Sequence, residues 1–385
     1  MSECELKILN VDFSGRGGIA HYIYLLCDAL HPRGIHNILV TTGDNELNLD
    51  RCSFTSRKIL NSHHRKRFNF SKGILYLASL TRLFIFVYRE RPDIVHWHEI
   101  KLPFIEYLII RCFKKMDIRI VYTAHDVYRL DDRKAYPYLI KEYRIFDFII
   151  SHAEENRGMI INDMGVPIEK TRVVPHGEYT YLVGEEQKKQ EARLILGIPT
   201  KAKVLLFFGY IRKYKGLTIL IHAVFRVRMI LTDMILVIAG QPKEDFTIYE
   251  REIERLGLKD VVLTHLKYIP LHDISPYFWA SDIVVLPYLN IHQSGIAHLA
   301  FAHRRPVIVT SVGGLPEVVE EGKNGYIIPP GDSCALANSI IDAFSDIGKI
   351  EKMGYYAFRH ANVKYSWDKI AEQTIEVYHR LLGKQ

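Results

Sequence analysis

VLLFFGYIRKYKGLTILIHAVFRVR, residues 204–228, contains one whole strand–loop–helix unit. Val204–Phe208 is apolar without interruption, as a strand covered on both faces requires. Gly209 ends that strand. A helical pattern starts near Gly216 and runs over Leu217–Arg228. Arg212, Lys213 and Lys215 crowd the connecting loop. Ligands of open parallel α/β sheets bind outside the carboxyl ends of the strands. Cations held there suit a diphosphate, because Arg grips two oxygens at once and Lys supplies a point charge. A solvated basic turn would look the same.

The same alternation extends in both directions. Downstream, strands are expected at Ile235–Ala239, Val261–Leu263, Ile283–Leu286, Val307–Thr310 and Tyr326–Ile328, with helices over Phe246–Leu256, Ser294–Ala302 and Cys334–Phe344. Upstream, strands are expected at Lys7–Val11, Asn37–Thr41, Ile94–His98, Arg119–Thr123, Phe148–Ser151 and Arg172–Val174, with helices over Ile19–Leu30 and Ile74–Tyr88. The pattern breaks at the polar stretch 178–193. At 385 residues the chain exceeds one core, since single cores stop growing near ~250–300 residues. The expected architecture is therefore two Rossmann-like doubly wound parallel-sheet α/β domains: residues 1–177, a linker at 178–200, and residues 201–365. A closing amphipathic helix follows within 366–385.

Composition narrows the function. The five cysteines form no C-x-x-C pair, and no His/Cys cluster has zinc spacing, so reduced thiols and no metal are expected. The sequence opens directly into a strand pattern, without a signal-peptide profile, and no apolar run is long enough to span a bilayer. A cytoplasmic protein is the expectation. Net charge is +7. Residues 51–89 hold no Asp or Glu, while Arg57, Lys58, Arg65, Lys66, Arg67 and Lys72 cluster there. This run is either a solvated face or a surface for anionic lipid, which would place the protein at the inner membrane face. No nucleic-acid partner is expected.

Three further stretches carry candidate chemistry. In SGRGGIAHYIYLL (residues 14–26), Gly17 and Gly18 open a helix whose N–H groups suit a phosphate; a tight turn without ligand is the alternative. In SGIAHLAFAHRRPVIVTSVGGLPEVVEEGKNGYIIPPGD (residues 294–332), the amides of Ser294, Gly295 and Ile296 could hold sugar or phosphate oxygens. Glu317 either accepts from ligand hydroxyls or complements a helix dipole. HWHE (96–99) and TAHD (123–126) place histidines at strand ends, where His125 would face a ligand.

These residues resemble glycosyltransferase family 4, a retaining family with the GT-B fold, over nearly the whole chain. The pieces are GGIAHYIYLLCDAL, RPDIVHWH, TAHD, VVPHG, FFGYIRKYKG, ASDIVVLP and RRPVIVTSVGGLPEVVEEGKNGYIIPPGD. A closing helix with Trp367 completes them. The resemblance implies that Gly17 and Gly18 touch the donor diphosphate and that Arg212 and Lys215 clamp it. It puts His125 near the donor sugar, Tyr268 and Ile269 beside the base, and Ser294–Ile296 against sugar and phosphate. It further implies that the closing helix crosses back to the first domain. One departure stands out: the family's two glutamates, E-x7-E, fall at Ile291 and Leu299 here.

The expected activity is metal-independent transfer of a hexose-like unit from a nucleotide-diphosphate sugar to a glycan, lipid-linked or small-molecule acceptor. No cofactor is expected beyond that donor. The alternatives are a catalytically weak sugar-nucleotide-binding partner subunit, motivated by the missing glutamates, and a GT-B phosphorylase or epimerase.

Overall fold

Strand β1 (Lys7–Val11) is buried in the middle of a parallel sheet, pairing with β2 (His36–Thr42) on one side and β4 (Ile94–Trp97) on the other. The computed structural model describes residues 6–61, 70–128, 136–184 and 186–383. With β3 (Thr55–Leu60), β5 (Arg119–Ala124), β6 (Phe148–Ser151) and β7 (Thr171–Val173), the sheet runs in the order β3-β2-β1-β4-β5-β6-β7. The second sheet contains β8 (Lys203–Phe208), β9 (Met234–Ala239), β10 (Val262–His265), β11 (Ile283–Leu286), β12 (Val307–Thr310) and β13 (Gly325–Ile328). Its order is β10-β9-β8-β11-β12-β13, again parallel throughout. Each order reverses direction once, between β1 and β4 and between β8 and β11. These switch points are where doubly wound sheets leave a crevice at their carboxyl ends.

Helices cover both sheets. The first unit has α1 (Gly17–Leu30), α2 (Phe70–Glu90), α3 (Pro103–Lys115), α4 (Tyr136–Ile145) and α5 (Glu154–Asn162). The second has α6 (Lys189–Ile195), α7 (Leu217–Arg228), α8 (Thr247–Arg255), α9 (Ser275–Ala280), α10 (Gly295–Ala302), α11 (Leu315–Val318), α12 (Ser333–Phe344) and α13 (Ile347–Lys364). Strands buried on both sides explain the unbroken apolar runs in the sequence. Leu9, Val11, Val95, Trp97 and Ile120 anchor one core, and Leu205, Phe207, Leu236, Val285 and Ile308 the other.

The last helix, α14 (Trp367–Leu382), belongs to the first unit, which comprises residues 1–177 and 367–385; the second unit is 178–366. It lies on α1 through Trp367, Ile370, Ala371, Thr374, Val377 and Tyr378, all buried. That spacing is one continuous helical stripe. Ile375 and Leu382 sit only half-buried beside it.

Two expectations change. Residues 178–200, expected as a linker, lie within the second unit, and α6 packs on α9. The segment is anchored by a buried charge: Arg193 donates to Asp282 at 2.9 Å and to the carbonyls of Ala280 and Thr200. The basic stretch 51–89 contains the edge strand β3, on which Arg57 and Lys58 are exposed. Arg65, Lys66 and Arg67 lie outside the described residues.

Candidate functional site

In the first unit the loop after β1 is organised by Asp12, which is buried. Its carboxylate accepts from the Ser14 and Gly15 amides, both at 2.9 Å, and from Thr41 Oγ1 at 2.7 Å. Burial raises its pKa while these donors oppose the rise. The loop delivers Gly17 to the start of α1, as the sequence suggests. The Gly17 N–H, however, donates to Glu46 Oε1 at 2.6 Å, and His21 Nε2 lies 2.7 Å from the same oxygen. A helix N-terminus attracts an anion, and here the chain's own carboxylate supplies one. Gly18 is exposed beside it.

His125 directly follows β5 and is half-buried. It has company: besides His98, already singled out within HWHE, two histidines stand by it that sequence reasoning missed. His98 follows β4, His152 follows β6, and His176 stands three residues beyond β7. All three are buried. His125 Nδ1 is 3.1 Å from His152 Nε2, and His125 Nε2 is 3.5 Å from His98 Nδ1. The ring of Tyr22, from α1, packs edge-on against His125 and His152 at 4.9 Å, and Trp367 of α14 packs on Tyr22 at 5.3 Å. Burial is the main cause that pulls these imidazoles below their ordinary value. His152 falls to about 3, His176 to about 4, and His98 and His125 well below 6.5. The signal for His152 was in the sequence, since it ends its strand in the same way as His98 and His125. Glu46 left no such signal, being a loop acid 29 residues from Gly17.

In the second unit the loop after β8 turns through a short 3-10 segment, Lys213–Lys215. Gly216 closes it with φ 69°, and a Cβ there would lie 1.9 Å from the Pro287 carbonyl oxygen, so only glycine fits. The turn tucks Lys215 inward. Lys215 is buried rather than lying on a solvated basic turn, with its ammonium 5.1 Å from the Tyr288 ring centroid. The same ammonium sits close over Gly209, where a Cβ would lie 3.3 Å from it. The same Cβ would lie 3.7 Å from Ile296 Cδ1, and Ser294 Oγ is 3.4 Å from Tyr288 Oη. Gly209, Lys215, Ser294 and Ile296 are thus brought together at the β8/β11 switch point. Ser294 also caps α10 by accepting from the Ile296 amide.

The other expected residues are more dispersed. Arg212 is half-exposed at the start of the loop. Tyr268 stacks on Tyr210 with centroids 6.4 Å apart, and Lys243 stands 4.2 Å over the Tyr210 ring. Ile269 is buried next to it. Glu317 is exposed in the first turn of the four-residue α11, a place the helix dipole favours. Ile291 and Leu299 are both buried. Among the described residues no three His, Cys, Asp or Glu side chains are arranged to hold a metal ion, and no helix is long and apolar enough to cross a membrane.

Two doubly wound units, each with a glycine-bearing loop at its switch point, define a GT-B protein. Matches to known proteins narrow this class. The family model Glycosyltransferase Family 4 matches residues 16–177, and Glycosyl transferases group 1 matches residues 188–360. The chain belongs to glycosyltransferase family 4. It is 33% identical over 204 residues to D-inositol 3-phosphate glycosyltransferase of Corynebacterium urealyticum, covering 51% of this chain and 48% of that protein. It is 31% identical over 207 residues to spore coat protein SA of Bacillus subtilis, covering 51% and 53%. The chain thus spans about half the length of these curated relatives. Among solved structures, Anabaena HepE in complex with UDP-glucose superposes with a TM-score of 0.78 at 20% identity, over 97% of this chain and 100% of that one. Sucrose-phosphate synthase of Thermosynechococcus elongatus gives 0.78 at 19%, over 98% and 99%.

Proposed function

We propose that this protein is a retaining, metal-independent glycosyltransferase that moves a hexose-like sugar from a nucleotide-diphosphate donor to an acceptor. The observation that carries the reading is the inward-turned ammonium of Lys215 at the β8/β11 switch point, next to the side chain of Ile296 at the start of α10. A partly desolvated cation stabilises a departing diphosphate far better than one in water. Lys215 and Arg212 neutralise the charge that grows as the sugar–phosphate bond breaks. Ser294, Gly295 and Ile296 hold sugar and phosphate oxygens, Tyr268 and Ile269 flank the base, and His125 orients the sugar. Gly17 and Gly18 meet the diphosphate once Glu46 gives way. Glu317 receives a ligand hydroxyl.

The acceptor we propose is lipid-linked or otherwise anionic, met at the inner face of a membrane. Arg57 and Lys58 are exposed on β3, and the neighbouring α2 exposes Ile74, Leu75, Leu77 and Ile85. Cations near anionic lipid contribute about 1 kcal/mol each, and embedded apolar side chains add to this.

The experiment is a thermal-shift screen against nucleotide sugars, followed by nucleotide release with and without acceptor, in excess chelator. Binding, with release that requires acceptor and survives chelation, is expected. Binding without turnover under any acceptor would favour a sugar-nucleotide-binding partner subunit, the reading motivated by the apolar Ile291 and Leu299. Loss on chelation, restored by Mg²⁺ or Mn²⁺, would overturn the metal-free mechanism. In the same preparation, co-sedimentation with anionic vesicles should fall with salt. No binding at low salt would remove the membrane from the reading.

A further inference from the structure

Four neighbouring parallel strands, β4 to β7, bring His98, His125, His152 and His176 along one sheet edge. The hydrogens in the first three can be counted from their contacts. His152 Nδ1 is 2.9 Å from the Val174 carbonyl oxygen, which can only accept, so Nδ1 carries the hydrogen. A neutral imidazole has one N–H, so His152 Nε2 is a bare acceptor. His125 Nδ1, 3.1 Å from it, must then donate, which leaves His125 Nε2 bare.

The other end of the row is equally constrained. Asn37 Nδ2 donates to the Cys27 carbonyl at 3.1 Å, and Asn10 Nδ2 donates to Asn37 Oδ1 at 2.7 Å. The Asn10 amide is thereby oriented with Oδ1 towards His98 Nε2, 3.0 Å away. His98 therefore carries its hydrogen on Nε2, and its Nδ1 is bare. The two bare nitrogens, His98 Nδ1 and His125 Nε2, face each other across 3.5 Å, the longest contact in the row. Three neutral rings supply three hydrogens to four contacts, and the gap falls at the half-buried ring. Burial and the mutual proximity of the rings keep them neutral.

We propose that His152 is a positioning residue, which locks His125 in the tautomer with hydrogen on Nδ1 so that Nε2 offers a lone pair to a ligand hydroxyl. A hydroxyl hydrogen of the bound sugar satisfies that lone pair, whereas a group that can only accept is repelled by it. The identity of the ligand as a sugar rests on the transferase reading; the tautomer is a property of the protein alone.

The test is a long-range proton–nitrogen correlation spectrum of the full chain carrying nitrogen-15 histidine, at about pH 7.5, a unit above the free-imidazole value. His125→Gln and His152→Phe assign the signals. His125 is expected to show a protonated Nδ1 and a bare Nε2. In His152→Phe the hydrogen shifts to Nε2 or the tautomers mix. In His152→Gln the side-chain carbonyl, standing where Nε2 was, restores the Nδ1–H form. Turnover should fall about tenfold in His152→Phe, the size of one neutral hydrogen bond, and recover in His152→Gln. A wild-type His125 carrying its hydrogen on Nε2, or on both nitrogens, overturns the proposal. So does a folded His152→Phe protein whose His125 tautomer is unchanged. An Nδ1–H tautomer in a protein that turns over no nucleotide sugar would defeat the transferase reading and leave this one standing.

Discussion

The two units share a parallel, doubly wound plan but differ in what they place at the ends of their strands. In the first, β4, β5 and β6 are each followed directly by histidine, and their neutral rings form a row with one contact left without a hydrogen. In the second, β8 is followed by glycine and then by a turn that folds one lysine inward, next to the serine that starts α10. One scaffold thus carries two site chemistries, each decided by the first few residues beyond the strands. One edge carries neutral imidazoles, the other a cation.

Acid should separate the units most. His96 and His152 are held to about 3 and His176 to about 4, against 6.5 in an unfolded chain. Between those values the unfolded state binds protons that the folded state refuses, so stability is full above about pH 6.5 and is lost as pH falls towards 3–4. Each histidine contributes about 1.4 kcal/mol per pH unit, and these three together up to about 4. In the second unit His303 is held to about 4. Amide exchange at pH 7 and pH 5 should therefore show the first unit opening preferentially in acid. Preferential opening of the second unit would break the comparison.

The second expected effect belongs to the cationic edge. Lys215→Ala should lower turnover by ~10²–10³, the usual consequence of removing one group that stabilises developing charge. Denaturation measured on the same variant should show that the folded fraction is retained. Near-normal turnover would take Lys215 out of the chemistry and remove the contrast between the edges. The smallest effect tests the support behind the histidine row. Tyr378 Oη lies 2.7 Å from His96 Nδ1, so Tyr378→Phe should cost about 1 kcal/mol, confined to the first unit. A denaturation midpoint equal to wild type would mean that this contact adds nothing.

Much of this architecture was legible because a strand buried on both faces leaves an unbroken apolar run, as in Val204–Phe208 and Ile283–Leu286. β3 escaped because an edge strand needs no such run: Arg57 and Lys58 point to solvent, and the segment reads as a basic loop. Arg212 and Lys215 were both visible as cations, but the inward turn of Lys215 was not, since it follows from Gly216 closing against Pro287, far along the chain. His125 was found, while its partner His152 was overlooked. Glu46 at the start of α1 is set by tertiary contact and has no local signature.

The first unit is discontinuous in sequence, with α14 returning to α1 after the entire second unit. During synthesis, Gly177 emerges 190 residues before Trp367, an interval of roughly 10–40 s at ~5–20 residues per second. Throughout that interval the surface of α1 destined for Trp367, Ile370 and Tyr378 has no cover, and His96 lacks its tyrosine. The second unit, continuous in sequence, can mature first on the ribosome. Nascent chains stalled before Trp367 should therefore be the species that holdase chaperones retain and proteases cut.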